Sequence, residues 1–288
     1  MRTIIKLIKN FNELVMFKHS IFALPFIFIA MVVAARGWFG WELFFLGILA
    51  AITARNFAMG YNRYVDMDID AQNPRTQNRP SVDGRLSQNQ IKIFTTLNAL
   101  GFVLVAYYIN ELAFYLSFPI LFIIGSYSHF KRFSIAAHLI LGVSLGLAPI
   151  AGVVAVTGTI TPWSVFLALG VMFWVAGFDL LYSLQDIEVD KKLGLHSIPV
   201  KYGEAKTLKI SQVFHVWAVL FWFMFVFVAD GGLFAYNGIV LAALMLIYEH
   251  IIVNRDFKKI DKAFFTVNGY LGILVLVMII IDEALTLG

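Results

Sequence analysis

Long apolar runs, interrupted by short polar or Gly/Pro-containing breaks, set the pattern of this chain. The runs repeatedly reach the roughly 20 residues that a helix needs to cross a bilayer. They predict nine spans, near 19–35, 42–64, 91–109, 112–129, 136–156, 162–185, 209–229, 233–253 and 264–283. Asn110 and Glu111, in "YYINELAFY", are the only polar signal dividing the third span from the fourth. Ahead of the first span, "MRTIIKLIKNFNELVMFKHS" is basic and amphipathic. Glu13 and Lys18 separate its charges from the apolar run, which favours a membrane-surface lead-in to a retained helix over a signal peptide. The expectation is an all-α polytopic membrane protein, residues 1–288 forming one domain around a central polar chamber.

Composition agrees with that pattern. Of the 288 residues 60% are apolar, 16% aromatic and 14% charged, against about 25% charged in a soluble domain. There is no cysteine, which excludes disulfides, thiolate metal sites and a cysteine nucleophile. The net charge of +4 is small and suggests no nucleic-acid partner. It is sorted by loop: of 22 lysines and arginines, all but Arg36 and Arg55 fall on one side of the nine-span layout. The positive-inside rule places the N-terminus and the long loops in the cytoplasm.

Two acidic motifs stand out. "DMDID", Asp66 to Asp70, follows the second span, and "DIEVD", Asp186 to Asp190, follows the sixth. Four spans separate them, so both emerge on the cytoplasmic side, unlike the opposed motifs of inverted-repeat transporters. On a continued helix, Arg55, Asn62, Asp66 and Asp70 fall within an arc of about 80°. Asp179, Ser183, Asp186 and Asp190 likewise share a face. Each span thus presents a polar stripe running from membrane depth to the surface, while Asp68, Arg63 and Glu188 point elsewhere. Asp68 and Glu188 are expected to be solvated.

Four carboxylates around a small space are hard oxygen ligands of the kind Mg²⁺ prefers, usually together with substrate phosphates. Arg75 and Arg79 follow the first motif, Lys131 and Arg132 follow the fourth span, and Lys191 and Lys192 adjoin the second motif. Guanidinium and ammonium groups complete a diphosphate cradle. Arg55 and Asp179 lie inside apolar segments and require partners or water; a structural ion pair between them is one solution. Of the six histidines, His129 and His138 alone fall near the chamber. Tyr127, Phe178 and Tyr182 are placed to stabilise a cation through their ring faces, or simply to pack.

At these residues the chain resembles the UbiA-type intramembrane prenyltransferase superfamily. Its first motif, N-D-x-x-D-x-x-x-D followed by R-x-x-x-R-P, is matched by "NRYVDMDIDAQNPRTQNRP" through Asn62, Asp66, Asp70, Arg75 and Arg79. Arg55 matches the arginine upstream. The second motif, Y-x-x-x-D-x-x-x-D, is matched by Tyr182, Asp186 and Asp190, with Asp179 upstream, and Y-x-x-x-K-R by Tyr127, Lys131 and Arg132. Arg63 departs from the usual acidic residue after the asparagine, and only Lys18 remains of a basic pattern at the first span. Both departures are similar to those of a bacterial subgroup related to 4-hydroxybenzoate polyprenyltransferase. Some of that subgroup are assigned to the futalosine route of menaquinone synthesis, with 1,4-dihydroxy-6-naphthoate as acceptor.

The resemblance implies a Mg²⁺-dependent aromatic polyprenyltransferase of a bacterial inner membrane, with two ions. Asp66 and Asp70, supported by Asn62, would hold one ion, and Asp186 and Asp190 the other. Arg75, Arg79, Lys131 and Arg132 would bind the diphosphate of a polyprenyl diphosphate. Arg55, Asp179, Tyr127 and Tyr182 would serve an aromatic acid acceptor or the allylic cation. The tail would lie among membrane lipid. Other readings are haem or another quinone precursor as acceptor, or a transporter with a divalent-cation or organophosphate site. The nearly uncharged outer loops speak against the transporter.

Overall fold

The structure is a computed structural model that describes residues 2–16, 24–255, 260 and 263–286. Every regular element among them is helical. In chain order these are α1 (Arg2–Leu14), α2 (Leu24–Ala35), α3 (Trp41–Val65), α4 (Met67–Asp70), α5 (Gln88–Ile109), α6 (Glu111–Phe130), α7 (Ala137–Thr157) and α8 (Pro162–Ser183). There follow a 3₁₀ turn (Leu184–Asp186), α9 (Ile187–Lys192), α10 (Ile198–Tyr202), α11 (Glu204–Val228), α12 (Leu233–Arg255), a π turn (Ala263–Val267) and α13 (Asn268–Thr286).

Eight of the described helices are long and apolar enough to cross a membrane. The first expected span appears as α2, a shorter apolar helix of 12 residues. Its expected start, with Lys18, lies outside the described residues. The expected break between α5 and α6 is made by Asn110 alone. Its backbone is extended, its side chain accepts from the Ala113 N–H, and its amide donates to the Val154 carbonyl. One polar residue therefore satisfies two helix ends and ties them to α7.

Helix α8 is the packing centre, flanked by α7 and α11. On one face Gly142 and Gly146 of α7 meet it so closely that a Cβ on Gly142 would lie 2.3 Å from the Met172 carbonyl oxygen. Small residues spaced by four let backbones approach without side chains between them. On the opposite face of α8, Trp174 joins Phe26 of α2 and Trp222 of α11 in a fully buried aromatic core. By contrast, Leu97, Leu100 and Leu104 of α5 and Phe118 and Phe122 of α6 are exposed, as lipid-facing side chains are. Helix α3 buries only Gly47, Gly60 and Arg63 among its 25 residues, because it borders cavities rather than core. The amphipathic α1 packs beneath α5 through a Phe11–Phe94 stack at 4.5 Å, and a Glu13–Arg85 ion pair at 2.7 Å fastens it to the loop after α4.

Candidate active site

Two cavities meet between α3, α6 and α7. The first, of about 320 Å³, is polar and lined by both acidic motifs. The second, of about 210 Å³, is apolar, with Ile27 and Met31 of α2, Phe102 of α5 and Ile124 of α6 in its wall. Arg55, Met59, Tyr127, Leu141 and Leu145 line both. A polar compartment therefore passes directly into a greasy one.

Neither acidic motif is the continuous helix expected. α3 ends at Val65, and Asp66 sits at φ −94°, ψ 11° before α4 resumes. Asp186 sits at φ −105°, ψ 1° between the 3₁₀ turn and α9. This sparsely allowed bridge conformation is frequent at active sites. In each motif the irregular residue is the first aspartate, and both motifs line the same cavity.

The first pair is enclosed. Asp66, 2% exposed, accepts from Lys131 Nζ and Asn62 Nδ2, each at 2.7 Å on Oδ2. Its Oδ1 is buried without a hydrogen-bond partner. Burial pushes the Asp66 carboxyl above its ordinary value, against the pull of Lys131. Asp70 accepts from Arg79 Nη1 at 2.7 Å, with Arg63 Nη1 at 3.9 Å.

The second pair is held from the first half of the chain. Asp186 accepts from Asn73 Nδ2 at 2.9 Å and Arg75 Nε at 3.1 Å, and the Arg75 guanidinium also forms a close ion pair with it. Arg75 Nη1 continues to the Tyr182 hydroxyl at 2.7 Å. Asp190 lines the same cavity together with Ser197, the cap of α10.

The remaining expected residues are distributed unevenly. Arg55 lies at the junction of the cavities and donates to the Met16 carbonyl at 3.3 Å, with its Nε buried and unpaired. It does not pair with Asp179, which instead meets His138 Nδ1 at 2.7 Å. Arg132 does not line the polar cavity. It forks onto Asp68 and donates to the Val65 carbonyl, so Asp68 is an anchor for Arg132 as well as an exposed residue. Glu188 is exposed and pairs loosely with Lys191.

A metal ion suits this site by donor type: hard carboxylate oxygens from four aspartates, one of them the buried Asp66 Oδ1, which has no hydrogen bond and only Arg132 Nη2 at 3.7 Å. Among the described residues no three acidic or histidine side chains are close enough to bind an ion by themselves. Phosphate and water oxygens would have to complete its shell, which is the habit of Mg²⁺.

The sequence model of the UbiA prenyltransferase family matches residues 23–273. The chain belongs to that family. An apo UbiA homolog from Aeropyrum pernix K1 superposes with a TM-score of 0.84 and 31% identity, over 92% of this chain and 98% of that one. A UbiA homolog from Archaeoglobus fulgidus, bound to GPP and Mg²⁺, has a TM-score of 0.76 at 20% identity, over 96% and 99% of the two chains. Among curated relatives, the 4-hydroxybenzoate octaprenyltransferase of Aromatoleum aromaticum is 28% identical, over 88% of this chain and 86% of its own length.

Within this UbiA fold several cavity residues escaped the sequence reading. Asn73 opens an Asx turn, its Oδ1 accepting from the Arg75 N–H at 2.9 Å, before its amide reaches Asp186. The signal was the turn-forming "NP" dipeptide. Arg63, outside the expected stripe, is buried against the cavity with Asn62, Met16 and Asp70 around it. Ser197, the cap of α10, had no signal beyond its capping chemistry.

Proposed function

We propose that this chain transfers a polyprenyl group from its diphosphate to an aromatic hydroxy-carboxylate, of the 4-hydroxybenzoate or 1,4-dihydroxy-6-naphthoate type, and releases diphosphate. The observation that carries this reading is the joint between the two cavities. An ionic compartment with Arg75, Arg79 and Lys131 opens into an apolar one, which suits an amphiphile whose headgroup is a diphosphate and whose tail is a hydrocarbon. The names of the curated relatives support an aromatic acceptor, and the ligands of the Archaeoglobus homologs support a prenyl diphosphate donor.

We assign the first ion to Asp66 and Asp70, with Asn62 in support, and a second to Asp186 and Asp190. Bound divalent ions would neutralise the leaving diphosphate as its C–O bond breaks. The chain's own groups do the rest. Arg75, Arg79 and Lys131, released from their aspartates, turn to the phosphate oxygens. Tyr127 and Tyr182 offer ring faces to the allylic cation. Arg55, at the junction, orients the acceptor carboxylate. The apolar walls keep water from the cation. We further infer nine spans with α2 as the first, one domain over the whole chain, a chamber facing the cytoplasm, and residence in a bacterial inner membrane.

Purified protein in detergent, given labelled polyprenyl diphosphate and each aromatic acid in turn, tests the reading. The expected result is Mg²⁺-dependent labelled prenyl-acid, with diphosphate released in equal amount. Absence of product with every acceptor, or solute flux into proteoliposomes without product, would overturn it.

A further inference from the structure

We propose that His138 is the base that takes the ring proton when the prenyl group is joined to the aromatic acceptor, and that Asp179 positions it. This rests on the prenyl-transfer reading above and adds a step to it. When the electron-rich ring carbon attacks the allylic cation, a C–C bond forms and the diphosphate has already left with the C–O electron pair. The same ring carbon must then lose its hydrogen as a proton. The C–H pair returns to the ring, aromaticity is restored, and a base inside the water-poor cavity must receive the proton.

Among the described residues that line the cavities, His138 is in the right condition. His138 opens α7, is 6% exposed, and lines the polar cavity. Its Nδ1 lies 2.7 Å from Asp179 Oδ2, while its Nε2 is buried and without a hydrogen-bond partner. A carboxylate on Nδ1 fixes the tautomer that carries the proton there, leaving the Nε2 lone pair as an acceptor. The same carboxylate stabilises the imidazolium once the proton arrives. The four motif aspartates that line the same cavity are assigned above to the divalent ions, which leaves the His138–Asp179 pair for the proton.

Position agrees with condition. Leu141 and Leu145 follow His138 on the same face of α7, and both line the polar and the apolar cavity. His138 therefore stands on the ionic side of the junction, beside the place where a prenyl carbon leaves its diphosphate. The close Gly142–Met172 contact between α7 and α8 brings His138 within reach of Asp179.

The test compares wild type with His138→Gln, which can still bond to Asp179 but cannot accept a proton, and with His138→Ala. Turnover is measured with the acceptor carrying hydrogen or deuterium at the reacting ring carbon. Ionisation is followed separately, by scrambling of an ¹⁸O label between bridging and non-bridging positions of the diphosphate. Both variants are expected to keep ionisation and to lose turnover by about 100-fold, the lower range for a general base. A deuterium effect larger than that of wild type is expected to appear, because ring deprotonation becomes slow. Added imidazole is expected to restore part of the rate to His138→Ala. Unchanged turnover in both variants would overturn the proposal and leave the diphosphate itself as the base. So would a loss of turnover with no new deuterium effect, or a parallel loss of ionisation. If wild type makes no prenylated acid at all, the prenyl-transfer reading fails first.

Discussion

Asp66 and Asp70 are 2% and 4% exposed and meet Lys131, Arg79 and Arg63 from three directions. Asp186 is partly open and is held by Asn73 and Arg75, both of which come from the loop after the first motif. Both motifs have the same aspartate spacing and the same break at the first aspartate. The difference is in support. The first motif meets cations from α3, from the end of α6 and from the loop after α4, whereas Asp186 is held by that loop alone. One loop therefore closes both halves of the site, with Arg79 turned towards its own motif and Arg75 towards the other.

The largest expected effect tests what the motifs share. Asp66→Asn and Asp186→Asn each remove one carboxylate, and each should lower turnover on the order of 10²–10³-fold, the scale of losing one electrostatic contact to a developing charge. Initial rates at saturating Mg²⁺ check this. Full Mg²⁺-dependent diphosphate release by both variants would end the assignment of these residues.

The next effect separates the motifs. Arg79→Ala would leave the buried Asp70 carboxylate with only Arg63, 3.9 Å away. Removing one partner of a buried pair costs up to 3–5 kcal/mol; the Arg79 side chain is 23% exposed, so about 2 kcal/mol is expected. Arg75→Ala leaves Asp186 with Asn73 and access to water, and should cost no more than about 1 kcal/mol. Thermal unfolding of the two variants in one detergent gives the comparison. Equal losses would show that the second motif is as deeply built in as the first.

Much of this was legible in the residues themselves. Long apolar runs marked the spans, and Asn110 with Glu111 marked the α5–α6 break, where the Asn110 amide satisfies helix ends that an apolar side chain cannot. The spacing of Asp66, Asp70, Asp186 and Asp190, with Asn62, Arg75, Arg79 and Lys131, led to a cavity that the structure lines with those side chains. What failed was the assumption of continuous helices. Helical angle places Arg63 off the stripe, yet Arg63 is buried and approaches Asp70; Asp68 is exposed as expected and also holds Arg132. Pairings between distant segments, such as Asn73 with Asp186 and His138 with Asp179, depend on packing that no local pattern encodes.

The smallest effect probes the rim of the first motif. Arg132 holds the Asp68 carboxyl below its ordinary value of 3.8 by hydrogen bonding and charge. A depressed folded value means that the pair's contribution is complete above the ordinary carboxylate value and is lost as pH falls through the lower folded one. The Asp68 side chain is 61% exposed, so screening limits the contribution to a few tenths of a kcal/mol, roughly that of a surface pair. Asp68→Ala should therefore unfold slightly more easily than wild type at neutral pH, and the gap should close only in strong acid, below 3.8. High salt should shrink the same gap at neutral pH. A gap that survived both treatments would mean that Asp68 acts through the Arg132 contact to the Val65 carbonyl, as part of the bend at Asp66 and not as a surface charge.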